Sequence, residues 1–218
     1  MMAKPRSVKG RAARVQKWLS DAYPGSARDL CALKYRNPYE LLAATILSAQ
    51  CTDEMVNKVT PNLFSRYPTA ADLAHAKPLE LEDIVHATGF FRSKAKNLMG
   101  MANALEDRFS GEVPSDLADL VSLPGVGRKT ANVVRSVVFN EPGLPVDTHV
   151  SRLSNRLGLT TETDPVKIEH ELNALVPPED RGAFSLRLIL HGRAVCVARK
   201  PRCRDCGLAD ICPAVEPA

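Results

Sequence analysis

Residues 123–134, LPGVGRKTANVV, constrain this chain more than any other stretch. Two glycines one residue apart, Gly125 and Gly127, let a backbone turn sharply and leave its N–H groups uncovered. Residues 115–121 ahead of the turn carry a good N-cap and apolar side chains at helical spacing. The whole therefore reads as helix, hairpin, helix. The uncovered N–H groups fall at the start of the second helix, where the dipole is positive, so a nucleic-acid phosphate is a natural guest. On this reading the hairpin residues Leu123, Gly125, Val126, Gly127 and Arg128 are candidate DNA-backbone contacts. Lys129 rides on the first turn of the second helix and points where the phosphate chain would run. Alone, such a hairpin grips DNA without chemistry, and Lys129 is one more surface lysine.

A second segment changes that. Val146-Asp147-Thr148-His149 follows a proline- and glycine-rich break at 141–145 and opens another helix, with Asp147 or Thr148 as its cap. A helix N-terminus favours a carboxylate in its charged form. The connection is compact enough for Asp147 to face Lys129. An amine and a carboxylate facing a DNA groove point to an amine nucleophile with a charged helper.

The C-terminal segment carries a metal signal. Cys196, Cys203, Cys206 and Cys212 follow the spacing C-x6-C-x2-C-x5-C. Four cysteines this close are seldom structural thiols in a reducing compartment, and the pattern reads as metal ligation. Zinc sites tend to use two close pairs, whereas only one x2 pair is present here. Spacing alone does not choose between zinc and an iron–sulfur cluster. Arg199, Lys200 and Arg202 lie between the first two cysteines and Arg204 after them. A metal would pin this basic loop in one shape so that its charges meet phosphates together; the plain alternative is a solubilising loop. Cys51 reads as a small buried thiol.

Composition sets the outer limits. The chain has 218 residues, room for one or two modest domains with real cores. Its 29 Lys and Arg against 25 Asp and Glu leave only +4, which excludes a polybasic tail protein but allows one basic face. Aromatics make up 5%, too few for a single-strand stacking platform. The basic N-terminus, residues 1–14, lacks the apolar core of a signal peptide, and no apolar run is long enough to span a bilayer. The expectation is an intracellular, cytoplasmic protein without a membrane partner. Helical periodicity is expected at 11–19, 38–49, 78–87, 94–109, 148–157, 165–175 and 179–192, with a further helix capped by 48–53 and running to about 66. No stretch shows sustained alternation, so the fold class is all-α. Glycine stops the helix at Gly89, and of the adjacent Phe90 and Phe91 one is expected to be exposed, since both cannot face one helix core. An exposed apolar side chain near DNA acts as a wedge that unstacks a base step; packing of both in a satellite cluster is the alternative. Lys94 and Lys96 read as surface charges within reach of phosphates.

The LPGVGRKTANVV and VDTH segments resemble the endonuclease III family of base-excision DNA glycosylases with lyase activity, and the resemblance runs over nearly the whole chain. It implies the helix-hairpin-helix glycosylase fold: two helical domains, here 32–140 and 1–31 plus 141–218, with the DNA cleft between them. It implies a [4Fe–4S] cluster on the four cysteines. It implies duplex DNA carrying oxidised pyrimidines or abasic sites as substrate, Lys129 as Schiff-base nucleophile and Asp147 as its helper, in a chain acting as a monomer. Gln50, an exposed helix-end amide on sequence alone, resembles the residue this family inserts into the gap left by an extruded base. The family often has leucine then tyrosine where this chain has Phe90-Phe91, so the wedge role of Phe90 departs from its pattern. Two rivals remain: a mismatch glycosylase without the lyase step, which resembles this architecture but generally lacks a lysine at 129, and a helical module that only binds DNA.

Overall fold

In the computed structural model, which describes residues 7–215, every regular element among the described residues is a helix. Residues 1–6 of the basic N-terminal stretch lie outside the described residues. The α-helices are α1 (Val8–Ala22), α2 (Ala27–Leu30), α3 (Pro38–Leu47), α4 (Asp53–Arg66), α5 (Ala70–Ala74), α6 (Pro78–Val85), α7 (Phe91–Phe109), α8 (Leu117–Val121), α9 (Arg128–Val137), α10 (Thr148–Arg156), α11 (Pro165–Leu175) and α12 (Arg181–Ala194). Among the described residues no helix is long and apolar enough to cross a membrane. The chain divides into two compact units, Cys31–Phe139 and the pair Met1–Leu30 with Asn140–Ala218.

The first unit is built around α3. Every residue of that helix after Pro38 is buried, which suits a helix apolar all round. Pro38 sits in its first turn and Asn37 caps it, accepting from the Glu40 N–H at 2.9 Å. Glu40 is the one charge inside; Arg36 answers it with its backbone N–H and its guanidinium. The helices α4, α7 and α9 pack on α3, and α5 and α6 pack on α7. The helix expected at 78–87 stops at Val85 and tightens into a 3₁₀ turn, His86–Thr88, before Gly89. The short α5 escaped the periodicity, because five residues show less than two turns.

The second unit packs α12 against α1, α2 and α10. Its core contains Val15 and Leu19 of α1, Val150 and Leu153 of α10, and Phe184 and Leu188 of α12. Leu208 and Ile211 of the cysteine-bearing segment join that core, so apolar burial anchors the segment.

Candidate DNA interface and active site

The hairpin comes first. Asp116 caps α8, its carboxylate accepting from the N–H groups of Ala118 at 2.7 Å and Asp119 at 3.2 Å. The chain then turns through residues 122–127, with the Val126 N–H on the Leu123 carbonyl at 3.1 Å. Leu123 and Val126 are only 2% and 5% exposed. Their side chains hold the hairpin to its own unit, so any contact they make with a phosphate runs through the backbone. Gly125 has φ +77°, a conformation that glycine adopts without strain. Gly127 is exposed and caps α9 without any side-chain hydrogen bond, which leaves the first N–H groups of α9 for an external partner. Arg128 is half-buried and Lys129 exposed in the first turn of α9. The Cys31 thiol of the same unit lies within electrostatic reach of Lys129. Burial pushes that thiol's pKa up; a backbone hydrogen bond at Leu33 opposes the push, the Asp53 charge adds to it, and the Lys129 charge opposes it more weakly.

Gln50 and Phe90 stand in the same unit, and both have left-handed backbones, φ +52° and +48°. Side chains with a Cβ pay for that conformation, and such residues gather at functional sites. Gln50 is exposed in the turn between α3 and α4. Phe90 is 66% exposed, while Phe91 lies on the His86 ring with centroids 4.4 Å apart. Lys94 departs from the sequence expectation. It is buried, 4% exposed, and its ammonium donates to the Thr88 carbonyl at 2.7 Å. It is therefore no phosphate contact, whereas Lys96 is exposed.

In the other unit Asp147 is the cap of α10. Its Oδ1 accepts from the N–H groups of His149 at 2.8 Å and Val150 at 2.9 Å, so the cap occupies one oxygen and Oδ2 takes no part in it. The preceding stretch is held in place by buried Leu144 and Val146 and by the Ser185 hydroxyl, which donates to the Pro145 carbonyl. Burial pushes the half-buried His149 imidazole's pKa down; the Asp147 carboxylate opposes this, and Arg152 and Arg193 add to it.

The four cysteines line one cavity of about 180 Å³. Two basic residues that sequence reasoning missed reach it. Arg156, ending α10, donates to Cys196 Sγ at 3.4 Å and to the carbonyls of Val197 and Ala198 at 2.8 and 2.9 Å. His191, buried in α12, sets Nε2 3.4 Å from Cys206 Sγ and Nδ1 3.1 Å from the Tyr23 hydroxyl. Arg152 adds a clamp on the Cys196 carbonyl at 3.0 Å. Gly207 lies flat against the Trp18 indole, where a Cβ would collide with the ring. Burial raises the Cys206 and Cys212 thiol pKa values, and the neighbouring cysteines raise them further. Arg199 and Lys200 are exposed, Lys200 with φ +54°, while Arg202 spends part of its guanidinium on the Ala194 carbonyl at the end of α12.

Residues 43–178 match the family model described as HhH-GPD superfamily base excision DNA repair protein. The endonuclease III of Synechocystis sp. is 52% identical over 217 residues, 99% of this chain and 98% of that protein. The chain belongs to the endonuclease III family. Membership makes it a base-excision DNA glycosylase with abasic-site lyase activity. Among solved structures, a non-covalent endonuclease III–DNA complex shares 39% identity with a TM-score of 0.89, covering 99% of this chain and 97% of that one. A trapped endonuclease III–DNA covalent intermediate shares 40% identity at the same TM-score, covering 99% and 98%. As an endonuclease III homologue, the chain has its sequence-expected hairpin, exposed lysine and capping aspartate on folded elements of these two units.

Proposed function

We propose that this protein removes oxidised pyrimidines from duplex DNA and cleaves the abasic strand through a Schiff base on Lys129. The observation that carries the reading is an exposed lysine in the first turn of α9, directly after the hairpin whose end has no side-chain cap. Open N–H groups there take a phosphate, and Arg199 and Lys200 add charge for the backbone. Acting on a base within a duplex requires turning it out of the stack, and a damaged base costs less to extrude. Gln50 and Phe90 fill the space it leaves.

Lys129 then attacks the sugar C1′ as a neutral amine. Ordinary lysine is protonated at neutral pH. Lys129 is exposed; the bound duplex supplies dry surroundings, or a base takes the proton. The C1′–N bond breaks, the electron pair leaves with the base, and the base takes up a proton. Asp147, with one oxygen in the cap, offers the other to the positive charge developing on the sugar. The Lys129 nitrogen loses one proton and its electron pair expels O4′ from C1′; O4′ takes up a proton, so the ring opens to a hydroxyl and an iminium. The iminium acidifies C2′, and loss of the C2′ proton expels the 3′ phosphate from C3′. Water then hydrolyses the imine and returns the amine.

The four thiols around one cavity, with a guanidinium on one sulfur and an imidazole on another, suit a [4Fe–4S] cluster. Bound there, the cluster supplies a cross-link that fixes the basic loop. The protein acts as a monomer on this reading. A lesion panel under single-turnover conditions tests it: oxidised pyrimidines in a duplex are excised and the strand nicked, with iron and sulfide present in the same preparation. Tight binding of every duplex without excision or nicking contradicts it.

A further inference from the structure

Lys94 has no place in the chemistry above, yet a buried ammonium is costly unless something requires it. It stands in the first turns of α7, where the helix dipole disfavours a cation. What holds it is the turn in front. Its Nζ donates to the Thr88 carbonyl at 2.7 Å, and its backbone N–H donates to the Phe90 carbonyl at 3.0 Å. The two bonds bracket Gly89 and Phe90, consecutive residues with φ +71° and +48°. Phe90 is the N-cap of α7 and has no side-chain cap bond, so nothing of its own holds the strained backbone. The same ammonium lies within electrostatic reach of Cys51, the neighbour of Gln50. Helix packing explains the meeting: α7 lies on α3 and the His86–Thr88 turn lies on α4, while Gln50 and Cys51 occupy the connection between α3 and α4. One buried cation thus holds the turn that carries Phe90 and lies within electrostatic reach of the turn that carries Gln50.

We infer that Lys94 is a positioning residue for base extrusion: its buried ammonium locks the Phe90 turn, beside the Gln50 turn, in the form that fills the opened duplex. This rests on the gap-filling roles proposed above. Strained backbones persist only where surroundings over-determine them, and the Thr88 carbonyl is the point at which Lys94 does so. Loss of the ammonium lets the Phe90 turn relax, which slows base opening and leaves the Lys129 chemistry on an opened sugar intact.

The test uses the full-length protein and a duplex carrying thymine glycol with 2-aminopurine as its neighbour, so that fluorescence reads opening and gel analysis reads excision. Lys94→Met keeps the aliphatic stem and removes the ammonium. It is expected to slow both opening and excision by about tenfold or more, with one wedge turn released. In a Gln50→Ala/Phe90→Ala background the same change is expected to alter opening by less than about twofold, because Lys94 acts through those side chains. Equal slowing in both backgrounds, or none in either, overturns the inference. A double-alanine protein that opens the duplex at the parental rate sinks the gap-filling reading itself, before Lys94 is touched. Should Lys94→Met fail to fold, Lys94→Gln, which keeps a neutral donor, carries the same comparison.

Discussion

A Cβ placed on Gly125 would stand 2.7 Å from Asn97 Cβ, a separation that side chains do not tolerate. Gly125 also has φ +77°. At Gly127, two residues on, an added Cβ meets nothing within 4 Å, and the backbone is extended, φ −85° and ψ 170°. One glycine is required by the fold and the other is not. Gly125→Ala is therefore expected to cost about 1–3 kcal/mol in urea unfolding. Gly127→Ala is expected to stay within about 0.5 kcal/mol of the parent and to lose affinity for duplex DNA, because its methyl group covers the N–H groups that face the phosphate.

Asp147 separates two roles of one side chain. Asparagine caps a helix as well as aspartate but carries no charge. Asp147→Asn is expected to keep the melting temperature and lose about a hundredfold to a thousandfold in single-turnover excision, the range seen for loss of one electrostatic contact. Asp147→Ala is expected to lose the activity and about 1 kcal/mol of stability as well. Calorimetry beside excision kinetics separates the two.

The hairpin and Asp147 were legible in sequence because their signals are local: glycines one residue apart, a proline-glycine break, a capping carboxylate. The cysteine spacing was legible for the same reason. Arg156 and His191 were not, since they meet Cys196 and Cys206 across 40 and 15 residues and nothing near them in sequence marks the contact. Lys94 was misread because lysines are almost always solvated, and only the packing of α7 on α3 reveals what buries this one. Phe90 and Gln50 read as exposed residues, but their left-handed backbones belong to turns whose geometry no pattern of side chains announces.

Arg199 and Lys200 are exposed on the cysteine-bearing loop, while Arg202 is partly engaged with Ala194. Each phosphate contact contributes about 0.9 to the slope of log affinity against log salt. Neutralising Arg199 and Lys200 together is expected to flatten that slope by up to about 2, and Arg202→Gln to change it less. A slope unchanged by all three substitutions would assign the loop to solubility.

The Cys31 thiol senses the Lys129 charge. Burial raises its thiol pKa in the folded chain; a backbone hydrogen bond at Leu33 lowers it, the Asp53 charge raises it, and the Lys129 charge makes a smaller lowering contribution. The unfolded chain ionises this thiol first, so its contribution to stability is present below about pH 8.5 and is lost as pH rises from there. Removing the Lys129 charge with Lys129→Met pushes the Cys31 pKa further up. Alkylation of Cys31 at pH 8.5, followed by mass spectrometry, is then expected to slow, because only the thiolate reacts.

Borohydride reduction during turnover on thymine-glycol duplex tests the central assignment most directly, since reduction captures an imine on whichever amine formed it. The parent protein is expected to become covalently joined to DNA, and digestion of the adduct to place the link on Lys129. Lys129→Ala is expected to give no adduct while still binding the duplex. An adduct of undiminished yield in Lys129→Ala would put the nucleophile elsewhere and contradict the account.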